Sequence, residues 1–214
     1  MAAIIHELRG EPLTLLSEKA IIWKSRSILL VADLHLGKVT HFRKAGIGIP
    51  QLAETDTLER LAQLLLDYPV KEVWILGDLF HSSYNRAWDK FKTFVGQLKD
   101  IKFVLVKGNH DILNEKEYAE LKLIVYDSIT KGPFLFTHIP IEDPQTKYNI
   151  SGHIHPGVYL RGKGLQSLTL PCFHISENNL VLPAFGAFTG LAKISPLKHD
   201  IVYAIMESGV VKVQ

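Results

Sequence analysis

Four apolar, β-branched runs in the chain each stop at a polar loop. Residues 27–32 (SILLVA) run into Asp33-Leu34-His35, and residues 72–76 (EVWIL) into Gly77-Asp78. Residues 102–106 (KFVLV) run into Gly108-Asn109-His110-Asp111, and residues 133–136 (PFLF) into Thr137-His138. Each run, four to six residues long, reads as a buried strand. Helical spacing separates the first three. Over residues 51–66 apolar side chains recur at Leu52, Leu58, Leu61, Leu64 and Leu65, with Pro50 just ahead. Over residues 87–98 they recur at Trp88, Phe91, Phe94, Val95 and Leu98. Strand–helix–strand order predicts right-handed parallel crossovers, and it places the polar loops at the carboxyl edge of one sheet, where open α/β sheets bind ligands. Beyond residue 123, short strand-like runs at 123–127, 148–151, 167–171, 179–182 and 201–205 predict a second, more antiparallel sheet. The expected architecture is a layered α/β sandwich in a single domain, residues 1–214.

Composition narrows the function classes. With 47% hydrophobic and 21% charged residues the 214-residue chain is an ordinary globular one. A net charge of +2 and the lack of a Lys/Arg block give no electrostatic argument for a nucleic-acid partner. Glu7 and His6 interrupt the start, which therefore does not read as a signal peptide, and no apolar stretch approaches the ~18 residues of a membrane span. One cysteine, Cys172, suits a reducing cytoplasm and, between apolar neighbours, reads as buried filler. Ten histidines are the oddity, and their positions carry the rest.

Five segments supply oxygen and nitrogen donors in order: Asp33-x-His35, Gly77-Asp78, Gly108-Asn109-His110-Asp111, His138 and Gly152-His153-x-His155. Two donors two residues apart can reach one ion from a strand-end turn, and glycine beside Asp78, Asn109 and His153 lets backbone approach closely. Carboxylate, amide and imidazole donors without thiolate suit a catalytic Mn, Fe or Zn site rather than a structural zinc. A carboxylate such as Asp78 can bridge two ions roughly 3.5–4 Å apart, the spacing used for in-line attack on phosphorus. Any one fragment alone is a commonplace; five together at strand ends are not.

That order, D-x-H, GD, GNHD, H, GHxH across residues 33–155, resembles the signature of the calcineurin-like metallophosphoesterases. The resemblance implies two mixed β-sheets flanked by helices and two divalent ions, Mn foremost with Fe or Zn as alternatives. Asp33, His35 and His155 would hold one ion; Asn109, His138 and His153 the second, with Asp78 bridging. His110 would be the general acid, oriented by Asp111, in hydrolysis by metal-activated water. Flanking stretches, ADLHLGK (residues 32–38), FRxxGIxIP (42–50), LPCF (170–173) and LPAFGxFTG (182–190), are similar to the bacterial DNA-ligase-associated metallophosphoesterases, a family of DNA-damage-response endonucleases. This implies a DNA substrate and a functional association with an ATP-dependent DNA ligase and a repair helicase or exonuclease. GDLFH (77–81) is also similar to the double-strand-break repair nucleases, which place a catalysis-supporting histidine at the position of His81 but carry a DNA-capping domain that this length leaves no room for.

Outside the signature, His81 is a substrate-site candidate or an exposed loop residue. Arg43, Lys38 and His41 are candidates for contacting phosphate or are solvated. His174 is a further substrate-site candidate, and His6 and His199 read as surface residues. Residues 182–190 either close over the cleft or form a packed turn. Three functions compete: a DNA phosphodiesterase or endonuclease; a phosphodiesterase or phosphatase acting on nucleotides or cyclic nucleotides; and a non-enzymatic scaffold, which the retained His110 and full donor set oppose.

Overall fold

β1 (Ile4–Leu8), β2 (Glu11–Leu16) and β3 (Ala20–Trp23) open a seven-stranded sheet completed by β4 (Ile28–Val31), β5 (Glu72–Leu76), β6 (Lys102–Val106) and β7 (Leu123–Tyr126), in that spatial order. The computed structural model describes residues 3–38, 52–81, 86–162, 164, 166–187 and 189–214. β1 through β4 pair antiparallel, and β4 through β7 parallel. The antiparallel opening was not predicted; it turns at Arg9-Gly10, both with positive φ (52° and 79°), the geometry of a tight two-residue hairpin.

The continuous apolar runs make sense once both faces of this sheet are covered. Alternate side chains part to two cores. Leu29, Val31, Val73, Ile75, Phe103 and Leu105 pack against the helices α1 (Leu52–Asp67), α2 (Arg86–Gln97) and α3 (Glu115–Glu120), through Leu61, Phe91 and Tyr118 among others. Ile28, Leu30, Trp74, Leu76, Val104 and Val106 face the other way, onto the second sheet. α3 starts on a capping box: the Asn114 side chain accepts from the Glu117 N–H (3.0 Å), and the Glu117 carboxylate accepts from the Asn114 N–H (2.8 Å).

The second sheet runs β14 (Ala192–Lys193), β11 (Pro156–Arg161), β12 (Ser167–Ile175), β13 (Asn179–Val181), β10 (Tyr148–Ser151), β9 (Phe134–Phe136), β8 (Ile129–Lys131). Beside β12 lie β15 (Ile201–Met206) and β16 (Gly209–Lys212). Its inner face contributes Phe134, Phe136, Ile150, Phe173 and Leu180 to the inter-sheet core. Cys172 is fully buried on its other face with Val158, Val202 and Ala204.

The expectation of one ligand-bearing sheet edge needs correction. β9 and β10 pair parallel in the second sheet, so the loops after them, carrying His138 and His153, close on the site from the opposite layer. No helix among the described residues is long and apolar enough to cross a membrane.

Candidate dinuclear metal centre

Beyond the carboxyl ends of β4, β5, β6, β9 and β10, side chains of both sheets converge in two groups. Asp33, His35 and His155 form one; Asp78, His138 and His153 form the other; within each, the donor atoms lie within 4.8 Å of one another. Asn109 joins the second, its Oδ1 3.0 Å from His138 Nε2. Asp78 faces both, with Oδ2 3.7 Å from His35 Nε2 and Oδ1 3.5 Å from His138 Nε2. All seven expected ligands are thus brought together, with one carboxylate between the two groups.

The donors fit cations better than they fit each other. His138 Nδ1 lies 3.1 Å from the Leu76 carbonyl, which can only accept, so Nδ1 carries the proton and Nε2 is left bare. That bare nitrogen faces Asn109 Oδ1 and, at 3.1 Å, His153 Nδ1. In the first group His35 Nε2 and His155 Nε2 confront each other at 3.4 Å. Burial foremost, then Lys38 and the neighbouring histidines, push the His35 pKa down to about 2, so it stays neutral. Asp33 is 0% exposed and its Oδ1 accepts no hydrogen bond, although a carboxylate oxygen so placed is costly to bury unpaired. A divalent ion in each group would satisfy these lone pairs together. All donors are oxygen or imidazole nitrogen, the set suited to a catalytic divalent ion.

Local backbone geometry explains the convergence. Asp33, His35, Asp78, His153 and His155 all have φ between 47° and 69°, left-handed positions that cost about 1–2 kcal/mol each in non-glycine residues. Neighbouring loops hold them there. The His35 N–H donates to the Asp78 carbonyl (2.9 Å), Asp33 N–H to Gly77 (3.1 Å) and Gly152 N–H to His138 (3.0 Å). Close approach also needs missing side chains: a Cβ at Gly108 would overlap the Asp78 carboxylate and stand 2.5 Å from its backbone nitrogen.

His110, His35 and His81 form a cluster at the first group. The His81 and His110 rings stack at 5.5 Å between centroids, and His35 meets both edge-on at 5.6–5.7 Å. The His110 N–H donates to Asp78 Oδ1 (3.0 Å). Asp111 is placed differently from expectation. Its carboxylate accepts from the N–H groups of Gly108 (2.9 Å) and Leu79 (3.0 Å), so it staples two ligand loops instead of orienting the His110 ring. Burial, aided by Asp78, pushes its pKa up to about 6, against the pull of those N–H donors.

The remaining candidates divide. Lys38 lies near enough for Asp33 and Asp78 to oppose the lowering of its pKa by burial. His174 is bound to Asp200 (2.8 Å) on β12 and belongs to neither ligand group. Arg43, His41 and the rest of residues 39–51 lie outside the described residues. His199 is exposed as expected, but His6 is half-buried and 3.0 Å from the Tyr203 hydroxyl, because β1 folds against β15 of the other sheet.

Residues 182–187 form a packed turn rather than a cover, and sequence reasoning missed what it packs on. Phe185 is fully buried; its N–H donates to the Ala32 carbonyl (2.8 Å), and the Gly186 N–H to the Asp33 carbonyl (3.0 Å). The turn therefore braces the first ligand loop from behind. Arg60 of α1 clamps it by donating to the Phe185 carbonyl and lying 4.4 Å over the Phe185 ring. An Arg about two turns into an amphipathic helix reads as a solvated residue, so nothing in the sequence marked it.

Fold and site together define a metal-dependent phosphoesterase. A family model, calcineurin-like phosphoesterase, matches residues 26–175, and the chain belongs to that family. It is similar in structure to a nuclease of Pseudomonas putida, MPE, with 34% identity, a TM-score of 0.85, and 99% of this chain and 100% of that chain covered. A protein of unknown function from Aquifex aeolicus matches at 21% identity and a TM-score of 0.42, over 64% of this chain and 82% of that one, too weakly to carry an argument. No curated protein matches.

Proposed function

We propose that the protein is an Mn²⁺-dependent endonuclease that cleaves single-stranded DNA in repair, within the cytoplasm. The observation that carries this reading is the likeness over both whole chains to a nuclease, at 34% identity, joined to a donor set with no thiolate. Two ions held by these groups would supply an acidified water and offset charge on the phosphoryl oxygens. The protein's own residues do the rest. Asp33, His35 and His155 hold one side of the site; Asn109, His138 and His153 the other; Asp78 keeps them at a fixed separation. His110, positioned by its N–H on Asp78 and by the stacked His81 ring, passes a proton to the departing oxygen as the P–O bond breaks. His81 meets a non-bridging phosphate oxygen. Asp111 acts as a positioning residue for the two loops it ties.

Three isoleucines stand beside residues of the ligand loops and are exposed to solvent: Ile112, Ile139 and Ile154, by 70%, 53% and 37%. Hydrocarbon beside a phosphate site suits unpaired bases better than a bare phosphomonoester. The near-neutral charge of +2 supports the rival, a diesterase of nucleotides or cyclic nucleotides. A covalently closed single-stranded DNA circle separates them, because it offers no end. Mn²⁺-dependent linearisation is expected. An intact circle under conditions where a cyclic nucleotide is hydrolysed rapidly would transfer the proposal to the small-molecule rival.

A further inference from the structure

Resting on the nuclease reading, we propose that the uncovered inner face of β11 and β14 is a ledge that binds the strand next to the scissile phosphate, by stacking a base on Tyr159 and pairing phosphates with Lys193 and Arg161. The ledge begins at the metal centre. β11 follows His155 directly, and β14 pairs parallel beside it, Pro156 with Ala192 and Gly157 with Lys193. The Ala192 N–H donates to the carbonyl of His155 itself (3.0 Å).

Alternation along β11 decides which residues look outward. Val158 and Leu160 turn to the cluster around Cys172, Val202 and Ala204. Gly157, Tyr159 and Arg161 therefore take the opposite face, the one that Phe173 of neighbouring β12 buries in the inter-sheet core. Where the first sheet covers that face it is apolar and dry. Beyond the first sheet's reach, Tyr159 is 42% exposed, and Arg161 and Lys193 are exposed too. Leu191 covers Gly157, where a Cβ would stand 2.9 Å from Leu191 Cβ, so the face runs unbroken from the ligand loop to the tyrosine.

An aromatic ring and a cation are already assembled there, with Lys193 Nζ 3.8 Å over the Tyr159 ring. The ammonium lies over one face of a ring that is 42% exposed, and in this proposal a base stacks on the ring's exposed part. Four residues of strand put Tyr159 about 13 Å from His155, too far for the phosphate held at the metals and suited to a nucleotide further along. Cations beside a stacking platform are the way proteins hold single strands without reading sequence. In a chain of net charge +2, such a local pair of cations supplies what overall charge does not.

The test compares Mn²⁺-loaded wild type, Tyr159→Ala, Tyr159→Phe and Lys193→Ala on oligothymidylates of increasing length, an abasic oligomer and bis(p-nitrophenyl) phosphate. Wild type should gain in kcat/KM with length and prefer thymidylate to the abasic strand. Tyr159→Ala should raise KM on the long oligomer by roughly 5- to 100-fold and erase the preference over abasic DNA, with the aryl diester unaffected and Tyr159→Phe close to wild type. Lys193→Ala should lower the slope of log KM against log salt by about 0.7. Should Tyr159→Ala damage the fold, seen as loss of the aryl-diester rate, the salt slope of Lys193→Ala decides instead. Cleavage of oligomers with KM, length dependence and salt slope unchanged in the variants overturns the ledge and leaves the nuclease reading intact. Wild type that hydrolyses the aryl diester but no oligomer overturns the nuclease reading itself.

Discussion

Gly108→Ala should break the metal centre with a single methyl group. Gly108 does not need a glycine conformation, since its φ is not positive, so the substitution carries no intrinsic backbone strain. What it meets is Asp78: the new Cβ would overlap the carboxylate and sit 2.5 Å from the backbone nitrogen of the residue that faces both ligand groups. Relief needs a retreat of about 1 Å at the carboxylate. Neighbouring loops are tied to Asp78 through the N–H of His110 (3.0 Å) and the N–H of His35 on its carbonyl (2.9 Å), so the shift is shared with groups at the site. Displacements of about 1 Å cost on the order of 10²-fold in rate. Bound Mn²⁺ should fall below two per chain, and turnover of an aryl diester should drop by about that factor or more. Gly96→Ala is the control, because nothing lies within 4 Å of its added Cβ in α2. It should leave activity alone and raise stability by about 0.5–1 kcal/mol. Metal analysis beside the rate assay checks both. Wild-type turnover with two ions in Gly108→Ala would refute the claim that Asp78 is held in place by a contact this tight.

Other outcomes follow from the same geometry. His110→Ala should keep its metal yet lose about 10²–10⁴-fold on substrates with poor leaving groups and much less on nitrophenyl esters; equal losses on both would remove it as the acid. Arg60→Met should lower stability by about 1.5–3 kcal/mol by freeing the Phe185 carbonyl, and weaken Mn²⁺ binding measured by calorimetry, with Arg60→Lys intermediate; unaltered metal affinity would show that the turn does not brace the site. His6, His35 and His153 all have lowered pKa values, burial being the first cause in each. Each takes up a proton less readily folded and metal-free than unfolded, so these three lower the urea midpoint as pH drops below about 6.5. Asp111, with its pKa raised to about 6, opposes them as the single group of that sign in this range among the described residues, so a net fall is expected and a flat profile from pH 7.5 to 5 would contradict this.

The candidate donors were legible in the sequence because Asp33, Asp78, Asn109 and His138 sit where an apolar run meets a short polar loop, and His153 and His155 share the two-residue spacing of Asp33 and His35, features that survive without knowledge of the partner layer. β5 and β6 fall where periodicity put them, and Asp78 and Asn109 follow at their ends. What stayed hidden is contact across distance. Nothing local announces that β9 joins a different sheet from β6, since PFLF and KFVLV are the same kind of run. Asp111 beside His110 suggested an orienting pair, yet its oxygens are taken by N–H groups of Leu79 and Gly108, a choice made by the fold of another loop. The β1–β2 hairpin was missed because β1 (IIHEL) mixes polar and apolar residues at a sheet edge, where only one face is buried. Arg60 and the 182–187 turn belong to the same class, two segments more than a hundred residues apart that meet only in the folded chain.

Metal titration tests the central claim most directly. Mn²⁺ is added to metal-free protein while binding and hydrolysis of bis(p-nitrophenyl) phosphate are followed together. Binding should saturate at two ions per chain, with no hydrolysis before metal is added and full turnover only as the second ion fills; in Asp78→Asn both stoichiometry and turnover should fall. Full activity of the metal-free chain, or saturation at a single ion with full turnover, would contradict a dinuclear phosphoesterase centre.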